Sequence, residues 1–130
     1  MEARIFRQIV SSAIDRLPGE FRGAMRNIEI VVEDRPTDEE LDAFAEREGL
    51  PEGEGDLLLL GLYQGIPLPK RDPQFYTMAL PDKITLFRES IEAYCAGNEA
   101  SMQEQIRITL LHEIGHYFGM DDEELRRLGY

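Results

Sequence analysis

The tightest constraint on this chain lies in its last thirty or so residues. Its only two histidines, His112 and His116, stand four apart inside a long stretch whose apolar residues recur at helical spacing. At about 100° per residue, the two imidazoles fall within about 40° of each other on one helix face. Gln105, Thr109 and Gly119 share that face, whereas Leu110, Ile114 and Phe118 centre on the opposite side with Leu111 and Tyr117 beside them. The spacing predicts a helix over 98–118, stopped by Gly119, that buries its back and offers both imidazoles to a cleft. A histidine pair belonging to the core would sit on the apolar stripe, and this pair does not.

The intervening residues read His112-Glu113-Ile114-Gly115-His116. In a chain of this composition, two histidines spaced this way around a glutamate arise by chance in roughly 0.2% of arrangements. One helical turn lets both rings reach a single ion at about 2.0–2.1 Å, and neutral imidazole suits zinc. Glu113 projects about 100° round from His112, too far to be an equal ligand but within reach of a water on the metal. It is therefore the candidate general base, taking a proton from that water and delivering it to a leaving amine.

A catalytic zinc takes three protein ligands and keeps one position open, and no third histidine exists. A carboxylate, a thiolate or a water must serve. Gly119 can turn the chain back on itself and bring a residue just beyond it towards the metal, so Asp122 is the candidate. Asp121 or Asp122 could instead cap a short final helix predicted over 123–128, because Asp121 and Glu124 have capping-box spacing. If Asp121 caps, Asp122 stays free for the metal. Two neutral imidazoles and one carboxylate leave a zinc centre at +1 instead of the +2 of three imidazoles, which makes its water less acidic. The activity optimum is then expected at neutral to alkaline pH, and a rate already falling between about pH 6 and 8 would contradict it. Gly115 costs a helix up to about 1 kcal/mol relative to alanine, and close packing of a strand or of a loop over the site would explain it.

Upstream, apolar residues at three- and four-residue intervals predict an amphipathic helix over 5–17, closed by Pro18-Gly19. A β-branched strand is expected over 27–33. Thr37 and Glu40 then form a capping box for a helix through Glu48 that Gly49 ends. Residues 51–56 are acidic and glycine-rich, hence a loop. The continuous apolarity of 57–63 predicts a strand in the centre of the sheet. The prolines between 64 and 81 exclude helix and mark a long covering or binding segment. A third strand over 83–87 and a short helix over 90–96 precede the histidine-bearing helix.

At 130 residues, with 42% hydrophobic side chains, the chain has the size and composition of one globular domain, 1–130. Its 14 basic against 26 acidic residues give a net charge of −12, which repels nucleic acid and anionic membranes in the absence of a basic patch. It also disfavours acidic peptides near the cleft. The longest apolar run is too short to span a bilayer, a charged N-terminal stretch replaces the apolar core of a signal peptide, and a single Cys95 forms no internal disulfide. A cytoplasmic location is expected.

The run from Thr109 through His112-Glu113-Ile114-Gly115-His116 to Asp122, followed by Leu125 and the terminal Leu128-Gly129-Tyr130, resembles the minimal zincin-like family of small bacterial zinc metallopeptidases with an HExxHxxGxxD signature. The blocks at 60–68 and 81–88 extend the resemblance over most of the chain from about Ile28. It implies an α/β (α+β) zincin-like fold in which a small mixed sheet packs on the active-site helix. It further implies one Zn2+ per chain held by His112, His116 and Asp122, with Glu113 as the catalytic carboxylate and a peptide or protein as substrate. A non-catalytic zinc-containing binding or regulatory module using the same cleft is the alternative. In peptidases of this general class an edge strand near the active-site helix pairs with an extended substrate, and 83–87 is the candidate strand. Tyr63, Tyr76 and Tyr130 are candidate donors to a developing oxyanion.

Overall fold

The structure is a computed structural model that describes residues 1–24, 28–51, 59–65 and 82–130. The loop expected over 51–56 and the proline-rich segment expected over 64–81 fall almost wholly outside those residues, as do Tyr76 and the start of the strand expected over 57–63. Six described helices, α1 (Ala3–Asp15), α2 (Gly19–Ala24), α3 (Asp38–Glu48), α4 (Arg88–Tyr94), α5 (Glu99–Tyr117) and α6 (Asp122–Arg127), surround a small mixed sheet. The sheet consists of β1 (Ile28–Glu33), β2 (Gly61–Gln64) and β3 (Asp82–Phe87).

Local chemistry accounts for most helix ends. In α3, the Thr37 hydroxyl accepts from the Glu40 N–H at 3.1 Å and the Glu40 carboxylate accepts from the Thr37 N–H at 2.9 Å. Gly49, at φ 69°, closes the same helix. The Asn98 side chain accepts from the Ser101 N–H to start α5. α1 ends earlier than its apolar spacing predicts, at Asp15, and the Pro18-Gly19 break leads into α2, a short helix the periodicity did not indicate.

Strand order corrects two expectations together. β3 is the central strand, parallel to β1 and antiparallel to β2. Residues 83–87 therefore do not supply an open edge for a substrate, and the segment expected in the middle lies at the side of the three described strands. β3 is central because Ile84, Leu86 and Phe87 are fully enclosed and Thr85 nearly so, leaving neither face to solvent. The apolar run before β2 spends part of its length on other packing: Leu59 enters the interior before the strand begins, and the Leu60 carbonyl accepts from the Phe87 N–H at 2.9 Å as the ladder opens. α5 packs on β2 and β3 and receives α1 and α4. Phe6 and Val10 of α1, Ile91 of α4, and Met102, Ile106 and Leu110 of α5 join Ile84 and Leu86 in one core.

Candidate metal centre and cleft

Helix α5 separates its two jobs by angle, as its sequence requires. Leu110 and Ile114 are buried against the core, while His112 and His116 remain about a quarter exposed. Their rings stand nearly perpendicular, at 83°, with Nε2 atoms 3.2 Å apart. Glu113 turns towards the sheet and is only 7% exposed. Its carboxylate lies 3.9 Å from His112 Nε2 and accepts the backbone N–H of Tyr63 in β2. Burial pushes the Glu113 carboxyl above its ordinary range, against the opposing pull of His116, His112, that N–H and Arg47.

The chain then reverses through a Schellman turn. The Gly119 N–H donates to the His116 carbonyl at 2.9 Å, and the Met120 N–H donates to the Gly115 carbonyl at 3.0 Å, with Gly119 at φ 90°. The Met120 carbonyl meets His116 Nδ1 at 2.9 Å, so that nitrogen donates and Nε2 is the ring nitrogen left facing the cleft. Asp121 caps α6, its carboxylate accepting the Glu124 N–H at 2.8 Å within a capping box. Asp122 is left to point at the histidines. Its Oδ1 lies 3.2 Å from His112 Nε2 and 3.1 Å from His116 Nε2. Partial burial acts to raise the Asp122 carboxyl, but His116 and His112 outweigh it and hold it below the usual carboxylate range.

These three atoms form a nearly equilateral triangle. Donors at 2.0–2.1 Å around a tetrahedral zinc are about 3.3 Å from one another, so the triangle has the dimensions of three of its four ligand positions. His112, Glu113 and His116 alone also form a group able to hold a metal, with donor atoms within 4.8 Å. Asp122 is nevertheless nearer to both imidazoles than Glu113 is to His112.

A cavity of about 430 Å³ opens over the triangle, with Gly61, Thr109 and Tyr130 among its walls. A second hollow of about 360 Å³ touches Glu113 and His116 from the side of Tyr63 and Met120. Arg47 of α3 lines both. The three tyrosines differ in their placement. The Tyr63 hydroxyl donates to Asp82 at 2.6 Å and is thus directed into the fold, Tyr130 lines the larger cavity, and Tyr76 lies outside the described residues.

Three residues of the cleft were not singled out by sequence reasoning. Gly61 lets β2 lie directly on α5: a Cβ there would meet Thr109 Cγ2 at 2.7 Å and Glu113 Cγ at 3.3 Å. A glycine inside an apolar strand was the available signal. Arg126 follows Asp122 by four residues on α6 and so shares its face. Arg47 offers no local signal, because only the tertiary fold carries α3 to the cleft. Gly115 does have a packing reason, though neither a strand nor a covering loop: a Cβ there would collide with the Leu125 side chain of α6.

No helix among the described residues is long and apolar enough to cross a membrane. No curated protein matches the chain. The sequence profile of one family matches residues 25–130, a span that takes in the whole sheet, α5 and α6. That profile describes the zincin-like metallopeptidases, a family to which this chain therefore belongs.

Proposed function

We propose that the protein is a zinc-dependent peptide hydrolase whose single domain, residues 1–130, carries one zinc on His112, His116 and Asp122. The observation that carries this reading is the triangle of Nε2, Nε2 and Oδ1 atoms 3.1–3.2 Å apart, with the Glu113 carboxylate beside it. Zinc bound there supplies a Lewis acid that brings the pKa of a water towards about 7 and polarises the scissile carbonyl. Glu113 takes the proton of the attacking water and returns it to the departing amine. A carboxyl raised by burial suits both halves of that task, since its affinity for the proton lies nearer neutrality. The Tyr63 N–H holds the carboxylate in place, and the Met120 carbonyl holds the His116 ring. Among the described residues β2 pairs on one side only, so its other edge is where an extended peptide would lie. The lone Cys95 is compatible with a reducing compartment such as the cytoplasm.

Replacing Glu113 by Gln tests the mechanism, because it keeps the side chain's shape and removes its basicity. Peptide hydrolysis should fall by at least about a hundredfold while zinc content stays at one per chain. Turnover equal to that of the unmodified protein would refute the assignment. Cleavage of no member of a broad peptide library by the zinc-loaded protein, alongside a reproducible bound partner, would favour the binding-module reading.

A further inference from the structure

The charges of α6 are paired unequally. Glu123 and Arg127, four apart, form the expected intrahelical ion pair at 2.8 Å. Asp122 and Arg126 have the same spacing and the same geometry available to them. Asp122 instead turns its carboxylate to His112 and His116. The Arg126 side chain consequently has no ion pair or hydrogen bond among the described residues, and Arg126 lines the 430 Å³ cavity over the histidines. Arg47 lines the same cavity from α3. Its guanidinium rests 5.6 Å from the centre of the Phe44 ring, and the ion pair it makes among the described residues, with Glu48, is a loose 3.6 Å from Nε. Arg47 also lines the smaller hollow that touches Glu113 and His116, which puts its side chain beside the histidine site from two directions. The cavity sets these two arginines against the carboxylates of Glu48, Glu113 and Asp122, but Asp122 faces the histidines and Glu113 the Tyr63 N–H, which leaves the Arg126 side chain without an anionic partner among the described residues and Arg47 only loosely paired.

We propose that Arg47 and Arg126 are specificity-determining residues that recognise a carboxylate of the peptide substrate close to the scissile bond. Guanidinium groups match carboxylates through paired N–H donors, and a cavity of this volume admits only a short stretch of peptide. The carboxylate is either an acidic side chain or the free C-terminus of a short peptide. This assignment rests on the cleft being the peptide site of the hydrolase reading, but binding tests it separately from turnover.

The experiment uses the zinc-loaded Glu113→Gln protein as a binding trap and a fluorescent neutral octapeptide blocked at both ends as reference. One arm moves a single Glu through the blocked peptide, and the other leaves the C-terminus of the neutral peptide free. At least one acidic peptide should bind about tenfold more tightly than the reference by anisotropy. The arm in which it appears identifies the source of the carboxylate. Adding Arg47→Gln and Arg126→Gln should together erase most of that preference, and Arg127→Gln, whose cation is paired outside the cavity, should leave it intact. Equal affinities throughout, a preference that survives the double arginine replacement, or no binding of any peptide would each overturn the proposal. A preserved preference without cleavage by the unmodified protein would defeat the hydrolase reading and leave this one standing.

Discussion

Gly115 and Leu125 share one small volume, and that volume joins α5, the helix bearing both histidines, to the helix bearing Asp122. Alanine at 115 would add up to about 1 kcal/mol of helix propensity. Its methyl group would also displace the fully enclosed Leu125 side chain, and overpacking of this kind costs about 1–3 kcal/mol. Gly115→Ala is therefore expected to lower the Tm by several degrees and to weaken zinc binding, measured by calorimetry and zinc titration. An unchanged Tm would mean that Leu125 yields without cost. At this scale the sequence was informative wherever chemistry is encoded by spacing. His112, Glu113, His116 and Asp122 lie within eleven consecutive positions, and a helix followed by a glycine turn converts that spacing directly into proximity. Gly61 and Arg47 come from elements far away in the chain, and no local rule announces their arrival.

Apart from the early end of α1 and the short α2, helix boundaries were legible for the same reason, since the hydrogen bonds that end them are local. The Thr37–Glu40 and Asp121–Glu124 boxes, the Asn98 cap and the Gly119 stop all stand where their residue types direct. Strand order was not legible. Apolarity reports that a segment is buried, but β3 is buried as a strand between two others, whereas Leu59 is buried ahead of β2. Hydropathy does not distinguish these cases. The cap on α6 has a functional side: Asp121→Ala removes the acceptor of the Glu124 N–H and is expected to cost about 1 kcal/mol. Fraying of that first turn would release Asp122 as well. Zinc affinity should fall severalfold in competition with a chelator, with little change in the helix signal from the rest of the chain. No change in affinity would show that α6 is held by Leu125 alone.

Across the whole molecule, the proposed ligands tie α6 back to α5, and α5 is the element on which the sheet, α1 and α4 converge. α1 precedes the span matched by the family, yet Phe6 and Val10 lie in the same core as Ile84 and Leu110. Anything that binds the folded state alone stabilises all of these elements together. Free zinc about a hundredfold above its dissociation constant should add about 2.7 kcal/mol. Chelation is expected to lower the Tm by several degrees and zinc to restore it in a concentration-dependent way. A Tm insensitive to zinc would contradict a site built from two separate helices. The turn that joins them carries a further consequence. The peptide groups flanking Met120 end α5 through its N–H and orient the His116 ring through its carbonyl. Residues 117–122 thus act as a ruler, in which helix termination, imidazole orientation and delivery of Asp122 are a single geometric event. Loops elsewhere in such a molecule can lengthen without touching the chemistry, but one extra residue here would put all three out of step at once.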